Sequence, residues 1–239
     1  MMARPMMAGW GDPGGSQLLW LAVTLVMFQA ADTLSRRSGR HPLCHPVLTS
    51  TPALIVIIHT TGATYATYAG ATAVLGFLLG PAVVGLAVPI HARLSLIRRL
   101  ALPLALALLA GSATAIASAV GIVWLLGAPH ALIASIAPRA TTTPVAMELA
   151  RQMGGNPSLA AALVLGAGVF GAMIASPLLN LIGVRDLRAR GFAVGVSAHG
   201  IGAARAFQVS ETGGAFASLG MALNAVMTAL ILSLLAALV

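Results

Sequence analysis

Two stretches break the apolar pattern of this chain: PRATTTPVAME at residues 138–148 and SAHGIGAAR at residues 197–205. They bring prolines, glycines, hydroxyls, a histidine, two arginines and a glutamate into a chain that is 59% hydrophobic and only 8% charged. Irregular backbone and polar side chains are tolerated at membrane depth only where they face a cavity or other protein groups. We therefore expect the functional site at these two stretches.

The composition around them predicts an all-α polytopic membrane protein. A soluble domain carries about 25% charged residues, whereas this chain has a mean hydropathy of +0.96. A spanning helix needs about 20 mostly apolar residues. Six runs of about that length occur, at 17–34, 46–62, 70–90, 100–126, 158–184 and 215–238. The polar start, 1–16, predicts a disordered tail before a single transmembrane domain at 17–239.

The positive charges follow a pattern of membrane topology. The net charge of +8 comes from arginines in short runs between apolar spans, which argues against nucleic acid as a partner. The clusters are Arg36/Arg37/Arg40, Arg93/Arg98/Arg99 and Arg185/Arg188/Arg190. The positive-inside rule places such short loops in the cytoplasm of a multi-pass inner (plasma) membrane protein.

This charge pattern constrains the two polar segments, which extend over about 131–157 and 191–214. The first must make no net crossing, so we expect it to enter from the outer side and return. The second starts from the cytoplasm. If it also returns, six full spans result and both termini lie outside; if it crosses, there are seven spans and a cytoplasmic C-terminus.

The first segment has the signals of a short half-helix. Pro144 favours the first turn of a helix, which makes Thr143 the expected N-cap after an unwound stretch. Gly154-Gly155 predicts the end of this helix, and Asn156-Pro157 the start of the next span. The N-terminus of a half-helix carries partial positive charge and free N–H groups, which suit an anion.

The second segment combines flexible backbone with ionisable side chains. Gly195, Gly200 and Gly202 allow tight turns or close helix contact. His199 titrates near neutrality when unperturbed, and Arg205 can bind a carboxylate through two parallel hydrogen bonds. Structural interpretations compete with these functional ones. They are a Glu148–Arg151 pair, an Arg205–Glu211 ion pair, Arg139 as an interfacial anchor, and helix packing at Gly166, Gly168 and Gly171.

Catalytic and metal-binding patterns are missing from the sequence. There is no G-x-S-x-G, P-loop or H-E-x-x-H motif. The single cysteine, Cys44, gives no metal-ligand spacing. We therefore expect no enzyme activity, no cofactor and no metal.

These motifs resemble the LrgB family, which includes CidB-type and YohK-like bacterial proteins and the C-terminal domain of the plastidal glycolate/glycerate translocator. The resemblance is strongest at LGPA (79–82), TTPVAM (142–147), SAHGIGAARA (197–206) and ETGGAFASL (211–219). The family usually has PKSVTTP where this chain has PRATTTP (138–144), so Ala140 lacks the expected hydroxyl. Its second motif begins Ser-His-Gly, whereas Ala198 here separates Ser197 from His199.

The resemblance implies a function and a set of site residues. The plastidal relatives imply transport of small 2-hydroxy or 2-oxo monocarboxylates such as glycolate, glycerate and pyruvate, coupled to protons or another ion through alternating access. The bacterial relatives imply the alternative, a holin/antiholin-like regulator of murein hydrolases and envelope permeability. Either way the expected partners are the lipid bilayer, a small LrgA-like membrane protein and, by analogy with other transporters, a second copy of the chain.

The expected substrate site draws on both segments. Arg139 or Arg205 would bind the carboxylate of a small organic anion, with hydroxyl and N–H groups from 142–143 on the other oxygens. His199 with Glu211 would carry the coupling proton. The complete expected set is Arg139, Thr141, Thr142, Thr143, Pro144, Ser197, His199, Gly200, Gly202 and Arg205, supported by Glu148, Asn156 and Glu211.

Overall fold

The structure, a computed structural model, describes residues 13–39, 44–85 and 87–237, and helices are the regular elements of that part. The chain divides into two compact units, Met1–Gly85 and Leu86–Val239. The tail predicted at 1–16 lies outside the described residues except for its last four, which already belong to the first helix.

The first unit contains one long helix and three shorter ones. They are α1 (Pro13–Arg37), α2 (Pro46–Thr61), α3 (Tyr65–Ala71) and α4 (Ala73–Gly85). The buried indole of Trp20 on α1 meets the ring of Tyr68 on α3 edge to face, with ring centroids 5.5 Å apart. The hydroxyls of Thr24 and Tyr68 lie 3.1 Å apart, so polar groups here are paired inside the unit.

The third predicted span, 70–90, does not form one helix. Its residues are divided among α3, α4 and α5 (Ala87–His91). Helix α3 ends at Ala71, because its C-cap Thr72 leaves helical geometry with φ −99° and ψ 9°. The hydroxyl of Thr72 donates to the carbonyl of Tyr68 at 2.9 Å.

Four single helices are long and apolar enough to cross a membrane, within Ser16–Arg37, Ala101–Leu125, Pro157–Leu181 and Glu211–Leu235. The bent pair α2–α3, with an angle of 118°, is a fifth candidate. The all-α membrane class is therefore confirmed, whereas the count of six spans is not.

The second unit is built around two parallel long helices. It contains α6 (Leu94–Arg99), α7 (Ala101–Leu125), α8 (His130–Ile136), α9 (Thr143–Gln152), α10 (Pro157–Leu181), α11 (Leu187–Val209) and α12 (Glu211–Ala237) after α5. Leu108 on α7 shares an apolar cluster with Phe216 near the start of α12. Ile116, two turns further along α7, shares one with Leu232 near the end of α12. The residue numbers of the two helices rise together from the first cluster to the second, so α7 and α12 run in the same direction.

Residues 130–156 form a re-entrant hairpin, hairpin 1. The Oγ of Ser135, in α8, accepts a hydrogen bond of 2.8 Å from the N–H of Asn156, which follows α9. Between these two residues the chain reaches the middle of α12, where the carbonyl of Ala140 accepts a bond from Asn224. The chain therefore enters and returns to the same level, as the charge pattern predicted.

Residues 187–209 form a second hairpin, hairpin 2, although α11 is nominally one helix. Its backbone leaves helical geometry at His199, with φ 41° and ψ −133°. We call the residues of hairpin 2 before His199 the incoming arm and those after it the outgoing arm. Gly202 packs so closely on the incoming arm that a Cβ on Gly202 would lie 2.8 Å from the carbonyl oxygen of Val194. In a continuous helix, residues eight positions apart are separated by about 12 Å. The chain thus reverses at His199.

The contacts of hairpin 2 with α12 confirm this reversal. On the incoming arm Gly191 packs on Gly213 and Gly195 on Ala217, so the numbers rise together. On the outgoing arm Phe207 packs on Gly214 and Gly200 faces Met221, so they run oppositely. Of the two topologies left open by the sequence, the structure has the one in which 191–214 returns.

Candidate functional site

The two hairpins meet at Asn224, in the middle of α12. Its Nδ2 donates to the carbonyl of Ala140 in hairpin 1 (2.8 Å) and to that of Val196 in hairpin 2 (3.1 Å). Its Oδ1 accepts from the hydroxyls of Ser112 on α7 (2.7 Å) and Thr228 (3.4 Å). The amide is fully buried, and these four bonds use its whole hydrogen-bonding capacity.

Sequence reasoning missed Asn224 and Ser112. A signal was present, because Asn224 is an amide inside an otherwise apolar span, and polar side chains there commonly bond between helices. The family motifs drew attention to 138–148 and 197–205 instead. The predicted segments do come together, but through a residue outside both.

Arg139 lies at the tip of hairpin 1, next to the residue that bonds Asn224. Its side chain is half-buried. Among the described residues no side-chain or backbone acceptor bonds its guanidinium, and no carboxylate pairs with it. A half-buried cation without a described counter-ion marks a candidate functional site in a membrane protein.

The N-terminus of α9 follows Arg139 by four residues. Helix α9 begins at Thr143, and Thr142 is the N-cap, so the predicted cap at Thr143 is wrong by one residue. The cause is that Thr142 is already extended, with ψ 149°, and its carbonyl accepts the first helical bond from Ala146. Pro144 lies in the first turn, as predicted, and Gly154 ends the helix region with φ 74°.

The three threonines differ in their environment. Thr141 is buried, and its hydroxyl donates to the carbonyl of Pro138 at 2.8 Å, which stabilises the turn. Thr142 and Thr143 are half-buried, and neither hydroxyl caps α9. Their hydroxyls and the first N–H groups of α9 are thus available near Arg139.

His199 forms the tip of hairpin 2. Its Nε2 lies 2.9 Å from the carbonyl oxygen of Val164 on α10, and the ring occupies a slot above Gly168. Since a carbonyl only accepts, Nε2 carries the proton in this contact. His199 is also the one non-glycine residue with positive φ in the described part of the chain. The predicted proton-carrying role remains untested.

The other predicted residues of hairpin 2 have different neighbours. Ser197 is exposed, donates to the carbonyl of Ala193 (2.8 Å), and lines an apolar cleft of about 470 Å³ between α7 and hairpin 2. Gly202 joins the two arms, and Gly200 faces Met221.

Arg205 does not pair with Glu211, so that structural interpretation is wrong. The Nη1 of Arg205 donates to Oε1 of Gln208 (3.1 Å), while Glu211 lies 3.5 Å from Arg93. Arg205 lines a small cavity beside α10, together with Ser210 and Gly213.

The predicted supporting residues have structural contacts. Glu148 accepts hydrogen bonds from Arg151 (2.7 and 3.0 Å) and Gln152 (2.7 Å) on an exposed face, as the structural interpretation predicted. Asn156 caps α10 by accepting from the N–H groups of Ser158 and Leu159. Neither side chain is among the hydrogen-bond partners of Asn224.

The geometry separates the predicted site into two places. Arg139 and the start of α9 lie near Asn224, whereas the cavity at Arg205 includes Gly213. Gly213 and Asn224 lie eleven positions apart on α12, which is about 16 Å along a helix. Among the described residues no cluster of three His, Cys, Asp or Glu side chains suits a metal ion.

Residues 24–238 match the LrgB-like family. This chain belongs to that family. Within it, the chain is 30% identical over 208 residues to YwbG, an uncharacterized protein of Bacillus subtilis, covering 87% of this chain and 92% of the relative.

Other LrgB-like relatives carry a functional name. The chain is 25% identical over 218 residues to the holin-like protein CidB of Staphylococcus epidermidis, covering 91% of this chain and 95% of that protein. It is also 24% identical over 218 residues to CidB of Staphylococcus aureus (strain N315). No solved structure matches the chain.

Proposed function

We propose that this protein has a holin-like role in the inner membrane, by which we mean control of envelope permeability and, through it, of murein hydrolases. Membership of the LrgB-like family and the name of the CidB relatives support this role. A small LrgA-like protein and a second copy of the chain are the partners that we propose, and we propose no enzymatic reaction.

The geometry supports a more specific molecular activity, the passage of small 2-hydroxy or 2-oxo monocarboxylates. The observation that carries it is Arg139, a half-buried guanidinium with no described counter-ion, at the point where the two hairpins meet. A guanidinium binds a carboxylate through two parallel hydrogen bonds. Broken helices whose N-termini face an anionic substrate are typical of secondary transporters.

In this mechanism Arg139 takes the carboxylate, and the hydroxyls of Thr142 and Thr143 with the first N–H groups of α9 take the remaining oxygens. The N-terminal partial charge of α9 adds to that of Arg139. Hairpin 2 closes the site from the other side through Asn224 and Val196. Movement of one hairpin against α12 would open the site to one side of the membrane at a time.

Uptake of labelled glycolate into proteoliposomes tests this activity. Arg139→Gln should lower saturable uptake at least tenfold, because a charge-assisted bond is worth about 1.5–3 kcal/mol and about 1.4 kcal/mol corresponds to a factor of ten. Arg151→Gln is the matched control, since Arg151 lies in the same hairpin but pairs with Glu148 on its exposed face. Unchanged uptake by the Arg139→Gln protein would exclude Arg139 as the carboxylate ligand.

The same vesicles separate transport from a less selective pore. Saturable flux that pyruvate and glycerate compete for supports a monocarboxylate transporter. Non-saturable leakage of unrelated solutes of similar size, unaffected by Arg139→Gln, would instead support a holin-like pore without a specific substrate.

A further inference from the structure

A small cavity lies between α10 and the two arms of hairpin 2, close to the start of α12. Its volume is about 40 Å³, and Arg190 and Arg205 both line it together with Ser176, Ser210, Leu187 and Gly213. None of the residues at the tip of hairpin 1 lines it. It is therefore separate from the meeting point of the hairpins.

The two guanidiniums at this cavity bond to neutral acceptors. Arg190 donates through Nη1 to Oδ1 of Asn180 (2.7 Å) and to the carbonyl of Val184 (2.8 Å). Arg205 donates through Nη1 to Oε1 of Gln208 (3.1 Å). These bonds orient the arginines, and no carboxylate of the described residues pairs with either of them.

Every acidic residue in the described part of the chain is paired with a different arginine. Asp32 pairs with Arg36, Glu148 with Arg151, Asp186 with Arg188 and Glu211 with Arg93. The Arg188 guanidinium lowers the pKa of Asp186 to about 2, so this pair is fully ionised at neutral pH. Glu211 follows the lining residue Ser210, but its carboxylate lies 3.5 Å from Arg93.

The size of the cavity limits what can occupy it. One water requires roughly 10–15 Å³ by this measure, so the space holds a few such groups. This accommodates one carboxylate or phosphate group, or a two-carbon acid, but not a sugar or a nucleotide. Two uncompensated guanidiniums around such a space attract an oxyanion.

We propose that this cavity is a second oxyanion site, in which Arg190 and Arg205 bind the carboxylate of a small organic acid. It lies about 16 Å along α12 from Asn224. It is therefore a separate binding site at one end of the proposed transport pathway, and not part of the central site. The positive cluster that contains Arg190 places this end in the cytoplasm. The assignment of the ligand rests on the proposed monocarboxylate passage.

Binding of glycolate to the purified full chain, measured calorimetrically in phosphatidylcholine nanodiscs, tests the site without relying on transport. The wild type should bind two glycolate molecules, and Arg139→Gln and Arg205→Gln should each bind one. Arg188→Gln is the control, because Arg188 is two residues from Arg190 but pairs with Asp186 outside the cavity.

A steric variant checks the result without changing charge. A Cβ on Gly213 would lie 3.5 Å from the carbonyl oxygen of Leu187 and 3.7 Å from Cβ of Ser210, which is ordinary contact. Gly213→Ala should therefore fold and put a methyl group into the cavity. We expect it to weaken the Arg205-dependent binding at least several-fold while the Arg139-dependent binding stays unchanged.

The outcomes separate this inference from the proposed function. Binding lost in Arg139→Gln alone, with Arg205→Gln and Gly213→Ala equal to wild type, would overturn the second site and leave the central one. Binding lost in Arg205→Gln alone would support the second site and contradict the central one. If Arg205→Gln binds as much glycolate as the wild type but retains less phosphatidylglycerol, the cavity holds a lipid phosphate. That result would overturn the small-acid assignment.

Discussion

Asn224 is the residue on which the arrangement of both hairpins depends. Its amide bonds one backbone carbonyl from each hairpin and one hydroxyl from α7. Buried amides of this kind fix a unique register only when every group is satisfied, which is the case here. Hairpins 1 and 2 are thus linked through one side chain of α12, rather than by direct hydrogen bonds between them.

Replacing Asn224 by alanine should destabilise the second unit by about 1–3 kcal/mol, because carbonyls of both hairpins and the Ser112 hydroxyl lose their partner. The unfolding midpoint in mixed micelles measures this effect. Ser118→Ala on α7 is the control, since Ser118 bonds only to the carbonyl of Ala115 in its own helix. Equal midpoints for the two variants would show that Asn224 does not hold the hairpins.

His199 combines a strained backbone with a buried ring. Its φ of 41° is unfavourable for any residue with a Cβ, and the bond to Val164 holds it there. His199→Ala should lose the hydrogen bond to Val164 and keep the backbone strain. His199→Gly should lose the hydrogen bond but also relieve the strain. We therefore expect His199→Gly to be the more stable variant by about 1 kcal/mol.

This order is the reverse of the usual one within a helix. Ala204→Gly, at an exposed helical position of the same hairpin, should cost about 1 kcal/mol as glycine normally does. Thermal unfolding of the three variants checks the comparison. If His199→Gly were less stable than His199→Ala, the reversal at His199 would be incorrect.

At the residue level, the sequence predicted which chemical groups are present better than it predicted which side chains contact each other. The motif around Arg139 predicted a cation beside a half-helix, and both occur. The Arg205–Glu211 pair failed because the reversal at His199 turns the outgoing arm, and with it Arg205, toward α10. Six residues along the chain do not determine whether two side chains face each other when the backbone turns at Ser210.

At the scale of elements, glycines decide how closely hairpin 2 packs on its neighbours. A Cβ on Gly168 would overlap the ring of His199, and one on Gly171 would lie 2.8 Å from Cβ of Ala198. The packing role predicted for these two glycines is confirmed. It is wrong for Gly166, which has open space around it.

Gly168 and Gly166 provide a matched test of the contact between α10 and hairpin 2. Gly168→Ala should destabilise the protein by about 1–3 kcal/mol, because the tip of the hairpin has to move. Gly166→Ala should stabilise it by up to about 1 kcal/mol, since alanine is the better helix former and nothing obstructs its methyl group. Chemical unfolding in micelles measures both, and similar values would mean that the hairpin tip does not lie on α10.

Element boundaries followed the capping signals closely where those signals were strong. Asn156-Pro157 begins α10 and Gly154 ends the preceding helix region, as predicted. The third predicted span failed because hydropathy alone does not register a break such as the one at Thr72. Capping residues thus located the helix ends better than the length and hydropathy of the apolar runs did.

At the scale of the second unit, the helices form two similar sets of opposite direction. Helix α7 is followed by hairpin 1, and α10 is followed by hairpin 2. The first third of α7 lies near the end of α10, since Leu108 shares an apolar cluster with Phe192, and the neighbouring Arg190 bonds Asn180. Inverted sets with broken elements meeting midway are typical of alternating-access transporters.

The charge pattern predicted one half of this arrangement, the return of hairpin 1, without any contact information. Arginines at the start of α7 and between α10 and α11 required hairpin 1 to return. The charge pattern did not determine whether hairpin 2 returns or crosses, because no basic cluster follows it. The backbone at His199, the approach of Gly202 to Val194 and the packing of both arms beside the first half of α12 show its reversal.

The return of hairpin 2 predicts which positions share a side of the membrane. In a Cys44→Ser background, Arg185→Cys and Val209→Cys flank hairpin 2, and Leu126→Cys follows α7; all three positions are exposed. A membrane-impermeant thiol reagent applied to intact cells should label Leu126→Cys alone. Arg185→Cys and Val209→Cys should react only after the cytoplasmic face is opened. Labelling of Val209→Cys from outside would mean that 191–214 crosses the membrane, and the two hairpins would then not approach Asn224 from opposite sides.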